Sequence, residues 1–174
     1  MNDNVSLRRL KDSINDYKLL EKWYKEEKIY KSFEQRKLNL KEIKEKYYPR
    51  TFNDSKVPVF MILYNEKPVG IIQYQLIDEI NKKLYKLKDN NIYEIDIFIG
   101  ELNLHNLGIG TKSINLIINS LKKEKDINLF VMCPLKSNLN AIRCYEKCGF
   151  KIIRSFKTND TIGDIKEYIL MIKR

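Results

Sequence analysis

Hydrophobic and polar positions change period several times along the chain, and each change predicts an element. A strand is expected at 5–10, a helix over about 16–30 and a second helix over about 39–47. Strands at 58–65 and 68–77 flank Asn65 to Lys67, a composition suited to a tight hairpin. Residues 78–91 read as a polar loop. A strand at 92–99 then leads toward a helix at about 109–124, where Ile114, Ile117, Ile118 and Leu121 recur at i, i+3, i+4 and i+7. INLFVMC at 127–133 predicts the next strand. A helix at 138–147 and strands near 150–157 and 165–173 complete the pattern. No repeat, linker or low-complexity tract divides it, so one domain over 1–174 is expected.

Two places combine this pattern with residues that carry chemistry. His105 to Gly110 reads HNLGIG and runs directly into the helix beginning near 109. Such a turn presents successive backbone N–H groups at the positive end of a helix dipole, where a pyrophosphate can sit. At Gly108 and Gly110 a side chain would hold the phosphates away. Two better-known phosphate loops do not fit. A Walker A loop needs glycine before its lysine, and Thr111 precedes Lys112; a dinucleotide fingerprint needs a third glycine where Ser113 stands.

The second place is Asn138 to Phe150, NLNAIRCYEKCGF. Asn138 can cap a helix, Ala141, Ile142 and Tyr145 share a face, and Gly149 suits the left-handed residue that ends it. Taken alone, each segment also fits a blander description, a short loop and an ordinary capped amphipathic helix.

Composition narrows the class. The chain has 174 residues, 43% of them hydrophobic, enough for one core, and no apolar run long enough to span a bilayer. MNDNVSLRRL lacks the apolar region of a secretory signal, so a cytoplasmic protein without membrane association is expected. Cys133, Cys144 and Cys148 cannot all pair within the chain and are expected to be reduced. With His105 the only histidine, neither a zinc site nor a catalytic Cys–His pair is expected. The net charge of +10 raises nucleic-acid binding. Lysines are nevertheless spread along the chain and interleaved with glutamate, as in KEIKEKYY, so no nucleic-acid partner is expected.

With both motifs in order, the chain resembles the GNAT acetyltransferase superfamily. Its signature is Gln or Arg, two residues, Gly, one residue and Gly or Ala at a strand-to-helix turn, followed later by NxxAxxxYxxxGF. The first is matched except that His105 holds the Gln/Arg position; the second is complete in Asn138, Ala141, Tyr145, Gly149 and Phe150. AIRCYEKCGF, the GIGTK turn, EKWY and the EKPVGIIQY hairpin are similar to the aminoglycoside 6'-N-acetyltransferases within it.

The resemblance implies an α+β fold, a mixed and mostly antiparallel sheet flanked by helices, with acetyl-CoA as cosubstrate and no metal. It implies that strands 92–99 and 127–133 splay apart and that the pantetheine arm lies between them, paired to backbone around Phe98 and Ile99 as another strand would be. His105, Asn106, Leu107, Gly108, Ile109, Gly110 and Thr111 are then the pyrophosphate turn, with Asn138, Ala141 and Tyr145 along the arm.

An attacking alkyl amine, with a pKa of roughly 10, must lose a proton to a base or a water chain. In EIDIFIGE, alternation puts Glu94, Asp96 and Phe98 on one side and Ile95, Ile97 and Ile99 on the other. Asp96 matches the acid that the aminoglycoside-acetylating relatives carry on this strand, and Glu94 is placed to assist. Tyr145 is implied as the general acid toward the departing CoA thiolate.

A polycationic acceptor calls for several carboxylates, and Asp78, Glu79, Glu94, Asp96, Asp160 and Asp164 are the candidates. Two departures bear on it: Cys133 stands where relatives have an aspartate before the proline, and 80–90 carries Lys82, Lys83, Lys86 and Lys88 and no tryptophan. Three readings follow. The first is acetylation of a small-molecule amine, an aminoglycoside 6'-amine foremost. The second moves the acceptor to a protein or peptide amine or a siderophore-type hydroxylamine. The third is a non-catalytic basic binding module. A monomer or a homodimer is compatible with all three.

Overall fold

The computed structural model describes residues 4–174, so the expected boundary at residue 1 lies outside the described residues. One sheet of seven strands organises the chain: β1 (Val5–Arg9), β2 (Val59–Tyr64), β3 (Lys67–Leu76), β4 (Ile92–Ile99), β5 (Leu129–Met132), β6 (Lys151–Asn159) and β7 (Ile165–Lys173). Their order is β1-β2-β3-β4-β5-β7-β6, and only the central β4–β5 pair is parallel. The β2–β3 hairpin turns through Asn65 and Glu66 with φ of 48° and 67°, the two consecutive left-handed residues that match the twist of paired strands.

Helices cover both faces. On one lie α5 (Ile109–Glu124) and α6 (Leu139–Lys147), whose Ile114, Ile117, Ile118, Leu121 and Tyr145 pack on Ile62, Ile72 and Ile95. On the other lie α1 (Ile14–Lys25), α2 (Glu27–Phe33) and α3 (Leu40–Tyr47), which bury Trp23, Tyr24, Ile43 and Tyr47 against Met61, Ile71 and Phe98. The alternation read in β4 therefore holds: Ile95 packs toward α5 and Phe98 toward the α1–α3 layer.

Caps set several boundaries. The Ser13 hydroxyl accepts from Asp16 N–H at the start of α1, and Asn39 and Glu42 form a reciprocal capping box at the start of α3.

Two expectations need correction. The helix foreseen over 16–30 is two helices, because Glu26 takes an extended conformation (φ −72°, ψ 124°) and its N–H closes α1 on the Trp23 carbonyl. No proline or glycine marks the break; its cause is tertiary. Trp23 is wedged against Gly100, where a β-carbon would lie 2.2 Å from the indole, and its Nε1 donates to Glu101 Oε1 at 2.9 Å. With Trp23 fixed there, the chain turns to lay Phe33 edge-on against Phe98 at 5.1 Å.

The supposed polar loop at 78–91 contains α4 (Glu79–Tyr85). Asp78 caps it by accepting from Asn81 N–H at 2.8 Å, and Lys86 ends it in the left-handed conformation. Burial of Tyr85 among Ile92, Val131 and Phe156 holds this short helix on the sheet. No described helix is long and apolar enough to cross a membrane.

Candidate active site

The β4–β5 ladder is short. Ile92, Tyr93 and Glu94 pair with Leu129, Phe130 and Val131, and beyond Glu94 the two strands part. The rest of β4, Ile95 to Ile99, is one wall of a cleft of about 660 Å³. Asp96, Cys133, Asn138, Ala141 and Tyr145 line the cleft, as do His105, Gly108 and Thr111 of the turn before α5. Residues far apart in sequence thus meet where two parallel strands separate, a place where backbone polar groups are left for a ligand.

The turn is built by backbone strain and one side chain. Asn106 and Gly108 adopt φ of 66° and 77°, and Gly108 caps α5 with open space where a β-carbon would be. Gly110, also in the cleft lining, has a packing reason to be bare: a β-carbon there would stand 3.3 Å from Cys144 Sγ, so its absence lets α5 and α6 approach. His105 Nε2 lies 2.7 Å from the Ile99 carbonyl and must carry the proton, since that oxygen only accepts. The imidazole fastens the turn to the end of β4. Leu107 is exposed and lies outside the cleft lining.

Asp96 faces the gap from β4, in direct register with Gln73 on β3. Gln73 Nε2 donates to Asp96 Oδ2 at 3.0 Å, and its Oε1 accepts from Arg50 Nη1 at 2.8 Å. Burial pushes the Asp96 carboxyl up, opposed by the Gln73 hydrogen bond and by the charges of Arg50 and Lys46. A carboxylate with a raised pKa is a better proton acceptor than a solvated one. Lys46 forms an ion pair with Glu34 beside the rings of Phe33 and Tyr47. Burial, then the Arg50 charge, draws its ammonium down to about 7, against the opposing charge of Asp96.

Glu94 lies behind the cleft, outside its lining. Its two oxygens accept from Tyr85 Oη at 2.8 Å and Gln75 Nε2 at 3.1 Å, and the side chain is buried away from the space an acceptor would enter. Burial, with the Asp96 charge second, lifts its carboxyl to about 7. Cys133 lines the cleft beside this pair, and burial followed by the Glu94 charge raises its thiol. A neutral group therefore stands at the position where the resemblance implies an aspartate in relatives.

Tyr145 projects from α6 into the cleft. Burial, then the neighbouring Cys144, raises its phenol well above the usual value, so at neutral pH it is protonated and able to donate a hydrogen bond.

The remaining acids disperse. Asp160 and Asp164, at the β6–β7 tip, line an adjacent hollow of about 750 Å³ with Lys136, Lys166 and Glu167. Lys31, Leu135 and Ser137 border both spaces. Asp160 Oδ1 accepts from the N–H groups of Ile162 at 3.0 Å and Asp164 at 2.8 Å, while its buried Oδ2 has no hydrogen bond and lies 3.9 Å from Lys166 Nζ. Asp78 and Glu79 sit in neither space; Asp78 caps α4 and Glu79 pairs with Lys82 at 3.5 Å. Sequence reasoning missed Arg50, Gln73 and the Lys46–Glu34 pair. Gln73 carried a signal: it is the polar residue in an otherwise apolar run of β3, and the hairpin pairing sets it opposite Asp96.

A sheet splayed at its one parallel pair, with a glycine turn at one end of the gap and an acid and a phenol at the other, defines a group-transfer site. A family model described as acetyltransferase (GNAT) domain matches residues 12–158, and the chain belongs to that family and is a transferase. Among curated proteins, aminoglycoside N(6')-acetyltransferase type 1 of Klebsiella pneumoniae is 27% identical over 153 residues, 86% of this chain and 75% of the relative. A kanamycin resistance protein of Rhizobium radiobacter is 33% identical over 63 residues, 36% of this chain and 58% of that protein. Among solved structures, aminoglycoside acetyltransferase AAC(6')-Ib in complex with coenzyme A superposes with a TM-score of 0.79 at 23% identity, covering 98% of this chain and 94% of that one. At that identity the likeness establishes the shared fold.

Proposed function

We propose that the protein transfers the acetyl group of acetyl-CoA directly to a primary amine of a small polycationic acceptor, with an aminoglycoside 6'-amine first among the candidates. The observation that carries this is the single cleft in which Asp96 and Tyr145 face the gap between β4 and β5 while the same space runs on to the α5 turn.

The chain's own groups suit both partners. The first-turn N–H groups of α5, with Lys28, Lys31, Arg143 and Lys147 around the cleft, suit the phosphates of acetyl-CoA, and the unpaired edge of β4 suits its amide arm. Asp96 accepts the ammonium proton, directly or through water, and Gln73 holds the carboxylate toward the gap. Tyr145 then hydrogen-bonds the sulfur as negative charge gathers on it. Because the phenol is a weaker acid than a thiol, Tyr145 keeps its proton and stabilises that charge by hydrogen bonding, and the thiolate is neutralised by a proton released from the amine side through solvent.

The relatives support the acceptor. They include aminoglycoside N(6')-acetyltransferases, and AAC(6')-Ib has been solved with ribostamycin and with kanamycin. A second reading, a peptide or protein amine, draws support from Cys133 in place of an acid and from the lysines around the adjacent hollow, both of which suit a less cationic acceptor.

The test is CoA release by the purified protein with aminoglycosides, a polyamine and basic peptides as acceptors. Turnover on drugs with a 6'-amine and none on their 6'-hydroxyl analogues is the expected result. Turnover confined to peptides would transfer the site to the second reading, and absence of acetyl-CoA binding would end both.

A further inference from the structure

Beside the cofactor cleft lies a pair of thiols that acyl transfer does not use. Cys144 on α6 and Cys148 at its C-cap stand one turn apart, on one side turned toward the first turn of α5. Cys144 lines the cleft, with Sγ 3.4 Å from Thr111 Oγ1 and against the bare α-carbon of Gly110. Cys148 is buried beneath it and directs its S–H toward the Thr111 carbonyl at 3.8 Å.

The three cysteines consequently differ in reactivity. Cys133 is raised by burial and by Glu94. Cys148 is raised by its hydrogen bond to Cys144 and by burial. Cys144 is lowered to about 7, first by the hydrogen bond with Cys148, then, against the cost of burial, by Thr111 and the Lys147 charge. The groups around it are Tyr145 and Lys147 on α6, Cys148 at its C-cap and Thr111 on α5. A thiolate at the mouth of a helix N-terminus, with a donor behind it, is the form in which thiols attack disulfides.

We propose that Cys144 is a thiol–disulfide exchange site that takes up an anionic low-molecular-weight disulfide and, once modified, blocks the turn that holds the cofactor. The Cys144 thiolate attacks one sulfur of the disulfide, the original S–S bond breaks, and a mixed disulfide forms on Cys144. The other half leaves as a thiolate and takes a proton from water. Cys144 sulfur is oxidised and the departing sulfur reduced, so the step balances, and excess thiol reverses it. The adduct has one direction in which to extend, because Gly110 and Thr111 crowd the sulfur on the α5 side. It leads into the cleft that Arg143 and Lys147 also line, before the α5 N-terminus, which is why an anionic disulfide suits the site better than a cationic one.

The inference rests on acetyl-CoA occupying this cleft, so acetyl-CoA binding to the unmodified protein is measured first; its absence counts against the proposed function alone. The reduced protein is then treated with glutathione disulfide or cystamine, and adducts are located by peptide mass spectrometry. The expected result is one glutathione on Cys144, slowed by acetyl-CoA, with acetyl-CoA affinity lost on modification and recovered with dithiothreitol. Cystamine should react more slowly at equal concentration. Cys144→Ser should take up no glutathione at this site, and its acetyl-CoA affinity should not respond to the disulfide. Cys148→Ala should raise the pH midpoint of the reaction and slow it about threefold at neutral pH, because loss of thiolate is partly offset by greater nucleophilicity. Labelling of Cys133 or Cys148 in preference to Cys144, or modification that acetyl-CoA does not slow, would overturn the proposal.

Discussion

Asp96 and Tyr145 divide the proton traffic of the proposed reaction, and isosteric changes separate their roles. Asp96→Asn keeps an oxygen for the Gln73 hydrogen bond and removes the base, so kcat/KM for the amine should fall about a hundredfold. Affinity for acetyl-CoA should hardly change. Tyr145→Phe keeps the packing against Phe150 and removes the donor, so kcat should fall at least about tenfold. Wild-type rates across the pH range in either variant would remove that residue from the mechanism. Glu94 makes a separate prediction about stability. Its folded pKa of about 7 lies above the carboxylate reference, so the folded state holds the proton more tightly than the unfolded chain. The stability Glu94 contributes is present at low pH and lost as pH rises through the window up to about 7. Glu94→Gln should flatten that decline in urea midpoints measured from acid to neutral pH, and an unaltered slope would place the titrating group elsewhere.

Among the elements, those whose period and caps agree were legible from sequence: α3 with its Asn39–Glu42 box, α5 with its four apolar positions, the Asn65–Glu66 hairpin and the splay of β4 from β5 that the resemblance implied. The break at Glu26 was not legible, because both flanking segments favour helix and the interruption comes from Trp23 meeting Gly100 across the fold. α4 was missed because its apolar face is short and flanked by lysines, although Asp78 and Tyr85 carried its cap and its anchor. At the site, Asp96 and Tyr145 were singled out through the family resemblance, and the fold brings both to one cleft. Glu94 could not be separated from Asp96 by alternation, since only the contacts of Tyr85 and Gln75 withdraw it. Asp78 and Glu79 entered the list by charge alone and proved to belong to a helix start. The Trp23 seat is open to direct test. Gly100→Ala puts a methyl group into the indole, so it should cost about 1–3 kcal/mol and lower the melting temperature. An unchanged melting temperature would mean that the break at Glu26 does not depend on this contact.

For the molecule as a whole, the net charge of +10 acts on both substrates with opposite sign. Acetyl-CoA is an anion and meets a cleft bordered by Lys28, Lys31, Arg143 and Lys147, so the long-range field and the local rim both attract it. A polycationic acceptor is repelled at long range and attracted only at close quarters, by Asp96 within the cleft and by Asp160, Asp164 and Glu167 in the adjacent hollow. The second attraction is itself offset, because Lys166 lies 3.2 Å from Asp164 and Lys136 lies 2.9 Å from Glu167. Salt screens distant exposed charges more than partly buried pairs. Raising ionic strength should therefore increase the KM for acetyl-CoA steeply, while the KM for a polycationic acceptor changes little or falls as long-range repulsion is screened. Initial rates across a potassium chloride series, with each substrate varied in turn, would show this divergence. A parallel rise of both KM values would mean that the acceptor meets a net acidic surface, and that the carboxylates at the β6–β7 tip outweigh the lysines around them.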